Sequence, residues 1–138
     1  MPGEDLSTLV ADFVNRRTWA VVGVSANPDK FGYRIFRNLR QAGYRVYGVN
    51  PSLQEVDGET IYPSLESLPE RPEVVDVVVP PAVAQQVVAD CARLGLSRVW
   101  LQPGAESEAA IRYCHEHGIA VVHDACAMVE KRTWPGPG

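Results

Sequence analysis

Residues 19–51 constrain the fold most tightly. They read W-A-V-V-G-V-S-A-N-P-D-K-F-G-Y-R-I-F-R-N-L-R-Q-A-G-Y-R-V-Y-G-V-N-P. An apolar, β-branched run closes on Gly23, and a turn of small residues follows. In the next segment Phe31, Ile35, Phe36 and Leu39 recur at helical spacing, while Arg34, Arg37 and Arg40 point largely elsewhere. Gly43 permits a left-handed cap, after which a second apolar run ends in Asn50-Pro51. Strand, turn, helix, strand in that order is the opening half of a nucleotide-binding βαβ unit.

The same alternation runs through the rest of the chain. Strands are expected at 18–24, 44–49, 74–79, 97–102 and 119–123, and helices at 31–42, 82–94 and 105–117. A further helix at 5–17 is expected to precede them, with Asp5 or Ser7 as its cap. Val83, Val87, Val88, Cys91 and Leu94 form the expected inner face of one helix, and Ala109, Ala110, Tyr113 and Cys114 that of the next. Most of the strands are apolar throughout, so both sheet faces must be covered. The reading is α/β: a single Rossmann-like domain over 1–138, a doubly wound parallel sheet of five strands in the order 3-2-1-4-5, with helices on both faces. In that order strands one and four adjoin, and the loops Gly23–Lys30 and Gln102–Glu106 flank a crevice. Residues 50–73, with Pro51, Gly58, Pro63, Pro69 and Pro72, read as irregular apart from a short helix at 64–68. Residues 132–138 read as a flexible tail.

A net charge of −4 argues against non-specific nucleic-acid affinity. The N-terminus lacks a secretory pattern, and no apolar run approaches the roughly 20 residues that span a bilayer. Cys91, Cys114 and Cys126 are odd in number and form no C-x-x-C pair. A reducing cytoplasm is the expected compartment.

Several loops could carry chemistry. Gly23 lets a phosphate approach the backbone, Ser25 offers a hydroxyl, and the following helix adds its positive N-terminus. Lys30 supplies a flexible point charge, and Asn27 belongs to the same loop. A plain βα turn is the alternative. The turn reads Gly23-Val24-Ser25 rather than G-x-G-x-x-G, and Asn50 stands where an NAD-binding unit carries Asp or Glu for the ribose. A neutral amide there tolerates a ribose phosphate, although Asn50-Pro51 also reads as a simple turn. Val79-Pro80-Pro81-Ala82 reads as a rigid apolar lip or as strand termination. Gln102-Pro103-Gly104 repeats the close-approach pattern after strand four. Cys114, His115, His117, His123, Asp124 and Cys126 invite a zinc reading, but the spacing points His115 and His117 to different sides of a helix. Nothing supplies an oxyanion hole for Cys126.

Taken together, these segments resemble the CoA-binding domain family, which includes the N-terminal domains of the succinyl-CoA synthetase α subunit and of ADP-forming acyl-CoA synthetases, and short stand-alone bacterial proteins. The resemblance is carried by V-V-G-V-S-A-N-P-D-K-F-G-Y-R-I-F-R-N-L, G-Y-R-V-Y-G-V-N-P, V-D-V-V-V-P-P-A, W-L-Q-P-G-A and A-V-V-H-D-A-C-A-M-V-E, in order over residues 15–131. It implies coenzyme A or an acyl-CoA lying across the C-terminal ends of the strands. By that resemblance Gly23, Val24 and Ser25 hold the phosphates with Lys30 as charge partner, and Asn50 and Pro51 adjoin the adenosine. Val79, Pro80, Pro81 and Val83 line the pantetheine path, with Gln102 and Gly104 near its far end. The synthetases transfer phosphate through a histidine in a second domain, and none of His115, His117 or His123 falls on that motif. The chain also carries Val79-Pro80-Pro81 where stand-alone members tend to have an aromatic-Arg pair. The expectation is a non-catalytic binding protein with CoA as partner, no nucleic acid or membrane partner, and any protein partner left open. The alternatives are an NAD(P)-binding redox-sensing or dehydrogenase-like module, and an interaction protein with a vestigial site.

Overall fold

The computed structural model describes residues 6–136. Asp5, one of the two expected caps, and the last two residues of the expected tail lie outside them. Helix α1 (Leu6–Val14) buries Phe13 and Val14. It stops three residues short of the expected end and contains Ser7 rather than being capped by it. Strand β1 (Thr18–Val22), apolar after Thr18, is buried at every position, as a central strand covered on both faces must be. Helix α2 (Phe31–Gln41) buries Gly32, Ile35, Phe36 and Leu39 and leads to β2 (Arg45–Val49).

The segment expected to be irregular holds two more strands. β3 (Glu55–Val56) and β4 (Glu59–Tyr62) form an antiparallel hairpin. Its two-residue turn is Asp57-Gly58, both at positive φ (51° and 82°), the arrangement that Asp-Gly favours in tight hairpins. Residues Leu65–Ser67 make a single 3-10 turn where the short helix was expected. Then come β5 (Val74–Val77), α3 (Pro81–Leu94), β6 (Arg98–Leu101), α4 (Glu108–Glu116), β7 (Ala120–Val122) and the short α5 (Ala127–Glu130). Pro81 opens α3 where its missing N–H costs nothing, Gly95 closes it in the left-handed region, and Ser107 caps α4 through Ala110 N–H at 3.1 Å.

The sheet has seven strands in the order β3-β4-β2-β1-β5-β6-β7, parallel except for the hairpin. This corrects the expected five strands and their order. The five expected strands run 2-1-3-4-5, because β4 pairs with β2 through Gly48–Ile61 and Val49–Tyr62 and takes the outer place. β5 is left to pair with β1, from Trp19–Val74 to Val22–Val77. With β4 counted as the third parallel strand the order becomes 3-2-1-4-5-6, the Rossmann order. The switch in winding therefore falls between β1 and β5, not between β1 and β6. The crevice expected between Gly23–Lys30 and Gln102–Glu106 is corrected accordingly: the loop facing Gly23–Lys30 is Val78–Pro80.

Both faces are covered. Phe13, Trp19, Val21, Ile35, Phe36, Leu39, Trp100 and Ala127 form one core layer under α1, α2 and α5. Val22, Val75, Val77, Ala84, Val87, Val88, Cys91, Val99 and Cys114 form the other under α3 and α4. Two expected inward residues face out instead: Val83 is exposed and Ala84 takes its place, and Ala109 is exposed while Ala110 is buried as expected. Trp134, inside the expected flexible tail, packs on the first layer. Its ring stacks on Tyr44 at 4.3 Å and its Nε1–H donates to the Ala42 carbonyl at 2.8 Å.

Candidate functional site

At the C-terminal end of β1 the chain turns through Gly23 at φ +108°, bonded across to both neighbouring strands. Gly23 N–H donates to Val49 O at 3.0 Å, and Val78 N–H donates to Val22 O at 2.8 Å. A Cβ on Gly23 would lie 2.5 Å from the Val78 carbonyl oxygen, so only glycine fits between the strand ends. Helix α2 presses on the same turn from the other face. A Cβ on Gly32 would lie 2.1 Å from Gly23 O and 3.4 Å from Ser25 N. Gly32 was missed in the sequence, where a glycine inside a helical pattern is a signal of close packing.

The loop between them is ordered by its own side chains. Ser25 Oγ accepts from Asn27 N–H at 3.0 Å, and Asn27 Oδ1 accepts from Asp29 N–H at 2.9 Å. Val24 is fully buried in the first core layer, so only its backbone is available to a ligand. Lys30 caps α2 in extended backbone, is exposed, and joins none of the ion pairs among the described residues. Of the cations of α2, Arg34 stays at the loop, its Nε donating to the Pro28 carbonyl at 3.4 Å, while the other two are held elsewhere. Arg37 and Tyr33 bond Asp57 at 2.7 and 2.6 Å, and Arg40 pairs with Glu59 at 2.8 Å. The bonds from Tyr33 and Arg37 hold the Asp57 carboxyl below the usual carboxylate range. These contacts fasten the β3–β4 hairpin to α2.

Asn50 is committed to structure. Its Nδ2 donates to Val24 O at 2.7 Å and its Oδ1 accepts from Ser52 N–H at 2.7 Å. An aspartate could not make the first bond, which gives a structural reason for the amide where a ribose-binding acid would stand. Asn50 nonetheless borders a groove of about 360 Å³ on the α3 side of the sheet, a size within the range of about 300–1,000 Å³ typical of small-molecule sites. Its lining brings together Gly23, Asn50, Pro51, Val79 and Val83 from the expected set. Val22, Val49, Pro63, Ser64, Leu65, Gln86, Val87 and Asp90 line it too and were not among the expected site residues. Most of them come from the 50–73 segment or the solvent side of α3, where no local pattern reports proximity to Gly23.

Pro80 and Pro81 are exposed at the start of α3, beside the groove. Gln102 does not face a ligand space: it is fully buried, its Nε2 donates to Asp76 Oδ1 at 2.7 Å, and its Oε1 accepts from Ala127 N–H at 3.4 Å. Gly104 is exposed at φ +98°, and its N–H donates to the Glu106 carboxylate at 2.7 Å, which makes that loop a poor phosphate cradle. The histidines and cysteines stay apart from this site. His117 stacks on Tyr113, His123 bonds Asp124, and burial pushes the Cys91 and Cys114 thiols up to about 12 and about 11. Among the described residues no group of three or more His, Cys, Asp or Glu side chains is placed to hold a metal ion, and no helix is long and apolar enough to cross a membrane.

A glycine-floored turn, a helix N-terminus and an apolar groove at one switch point agree with the comparison to known families. The CoA binding domain pattern matches residues 17–132. The chain belongs to the CoA-binding domain family. This CoA-binding domain is 29% identical to the alpha subunit of ADP-forming acetate–CoA ligase II from Pyrococcus furiosus, over 85% of this chain but only 28% of that subunit. It is 30% identical to the YneT protein of Bacillus subtilis, over 80% of this chain and 82% of that one. A solved hypothetical protein from Pyrococcus horikoshii superposes with a TM-score of 0.87 at 30% identity, covering 97% of this chain and 94% of the other. The CoA-binding domain thus matches two proteins of its own length along most of their chains, and about a quarter of the ligase subunit.

Proposed function

We propose that this protein binds coenzyme A, or an acyl-CoA, without itself performing chemistry on it. The observation that carries the reading is the convergence of Gly23, Asn50, Pro51, Val79 and Val83 on one groove at the switch point between β1 and β5. The pyrophosphate lies over the Gly23–Ser25 backbone at the N-terminus of α2, where backbone N–H groups and the helix dipole favour an anion. Lys30 supplies the mobile counter-charge, and Asn27 Nδ2, without a partner among the described residues, donates beside it. The adenosine half enters the groove past Asn50 and Pro51. The pantetheine arm leaves over Pro80 and Pro81 toward Gly104. The size match to YneT and to the Pyrococcus horikoshii protein supports a binding role carried by this domain alone.

Isothermal titration tests the reading. CoA is expected to bind at least about ten-fold more tightly than NAD or NADP, because Asn50 is spent on Val24 and Ser52 and no acid stands at the ribose. Tighter binding of either dinucleotide would refute it. Lys30→Glu is expected to weaken CoA by about ten-fold or more, since an exposed charge reverses sign next to a phosphate, with the melting temperature unchanged. Unaltered affinity in that variant would remove Lys30 from the site.

A further inference from the structure

The groove beside Gly23 holds polar groups that a phosphate-binding loop does not use. Gln86 and Asp90 sit one turn apart on α3, and both line it. Gln86 Nε2 donates to Asp90 Oδ1 at 3.1 Å, and Arg93 Nη2 reaches the same oxygen at 3.5 Å. Asp90 Oδ2 has no hydrogen-bond or ion-pair partner among the described residues. The walls beside it are apolar: Val22, Val49, Pro63, Leu65, Val79 and Val87. Asp90 lies seven residues beyond Val83, about 10 Å along the helix axis, which sets it well away from the phosphate loop.

An ionised carboxylate only accepts hydrogen bonds, so whatever meets Asp90 must bring a donor and must not be anionic. That excludes the phosphate half of a nucleotide from this end of the groove. Apolar walls accommodate the faces of a flat heteroaromatic ring. One free carboxylate oxygen matches one exocyclic amine. The paired N–H edge of guanine would need both oxygens, and one is already occupied by Gln86 and Arg93. We infer that Asp90, held by Gln86, selects an adenine base by accepting a hydrogen bond from its 6-amino group. The inference rests on the CoA reading above and moves Val79 and Val83 from the pantetheine path to the base.

Calorimetry with three small probes tests it: adenosine 3′,5′-bisphosphate, the same compound lacking the 6-amino group, and guanosine 3′,5′-bisphosphate. Loss of the amine is expected to weaken binding to the unaltered protein by about ten-fold, the cost of covering the half-buried Asp90 carboxylate with a ring that offers it no donor. Asp90→Ala is expected to weaken the adenosine compound by the same factor and to leave the amine-free compound within about two-fold, as a coupled pair requires. Equal affinity of the unaltered protein for the adenosine and amine-free compounds, or tighter binding of the guanosine compound, overturns the inference without needing the variant to fold. CoA titrated in parallel separates the two readings. If CoA binds and the amine is irrelevant, only the role of Asp90 falls; if CoA does not bind, the function proposed above falls with it.

Discussion

Gly32→Ala is expected to lower the melting temperature by on the order of 10 °C and to weaken CoA binding by more than about ten-fold. Intrinsic propensity points the other way, since alanine is favoured over glycine within a helix by about 1 kcal/mol. Packing decides the sign. The added Cβ would lie 2.1 Å from Gly23 O and 3.1 Å from Gly23 C, and both are backbone atoms of a turn already bonded to β2 and packed against Val78. A flexible side chain could swing away, but this turn cannot move without disturbing the strand ends. The helix must lift instead, carrying Lys30 and the first N–H groups of α2 off the phosphate position proposed above. The result to measure is a thermal melt alongside a CoA titration. A variant as stable as the parent would mean that the contact between α2 and the turn is looser than its geometry implies.

Asp76→Asn is expected to raise stability at pH 8 and to flatten its dependence on pH between about 4 and 8. Asp76 sits in the middle of β5, fully buried, with Val21 and Trp100 as cross-strand neighbours. Gln102 Nε2 donates to Oδ1 at 2.7 Å, while Oδ2 is buried with no hydrogen-bond partner. Burial pushes the carboxyl up to about 8 from an ordinary value of 3.8, and the Gln102 bond offsets this only in part. Below pH 3.8 the group is protonated whether the chain is folded or not, and it contributes no pH dependence. Between 3.8 and 8 the unfolded chain releases the proton and the folded one retains it, so the folded state loses stability as pH rises. Above 8 both are ionised and the full penalty applies, on the order of 6 kcal/mol at about 1.4 kcal/mol per pH unit. Asparagine keeps an oxygen for Gln102 and cannot ionise, so its profile should lack this slope. The window is distinct from that of Asp12, Asp57, Glu66 and Glu70. Their carboxyls are held below the usual range, and their contribution is lost only as the pH falls through acid values. Denaturant unfolding at a series of pH values checks this, and identical slopes for the two proteins between pH 4 and 8 would show that Asp76 is hydrated or partnered in the folded state.

The turn after β1 was legible because its signals are local. Gly23 at the end of an apolar run, a helix with Phe31, Ile35, Phe36 and Leu39 on one face, and Gly43 after it each act within a few residues. Pro81 and Gly95 bound α3 for the same reason. The Asp57-Gly58 turn carried an equally local signal and was passed over, and the strand order went wrong through that omission. Gln102 and Asp76 show the opposite case. A glutamine after an apolar run reads as a ligand contact, and an aspartate within one gives no sign of its face. Only the neighbouring strand reveals that the two side chains meet 2.7 Å apart in the core.

By itself, then, the chain's order of residues determined most of the strands and helices, that both sheet faces are covered, and where the chain turns through glycine at the end of β1. The tertiary structure alone decided that β4 lies outside β2 and that β5 adjoins β1. It also decided that α3 rather than the β6 loop walls the groove, and that Trp134 returns to cover Tyr44. The reason is physical. Helical and strand periods are set by backbone geometry over a few residues. The place of a four-residue strand such as Glu59–Tyr62 is instead set by which distant backbone is left to bond with and which apolar face remains to be covered.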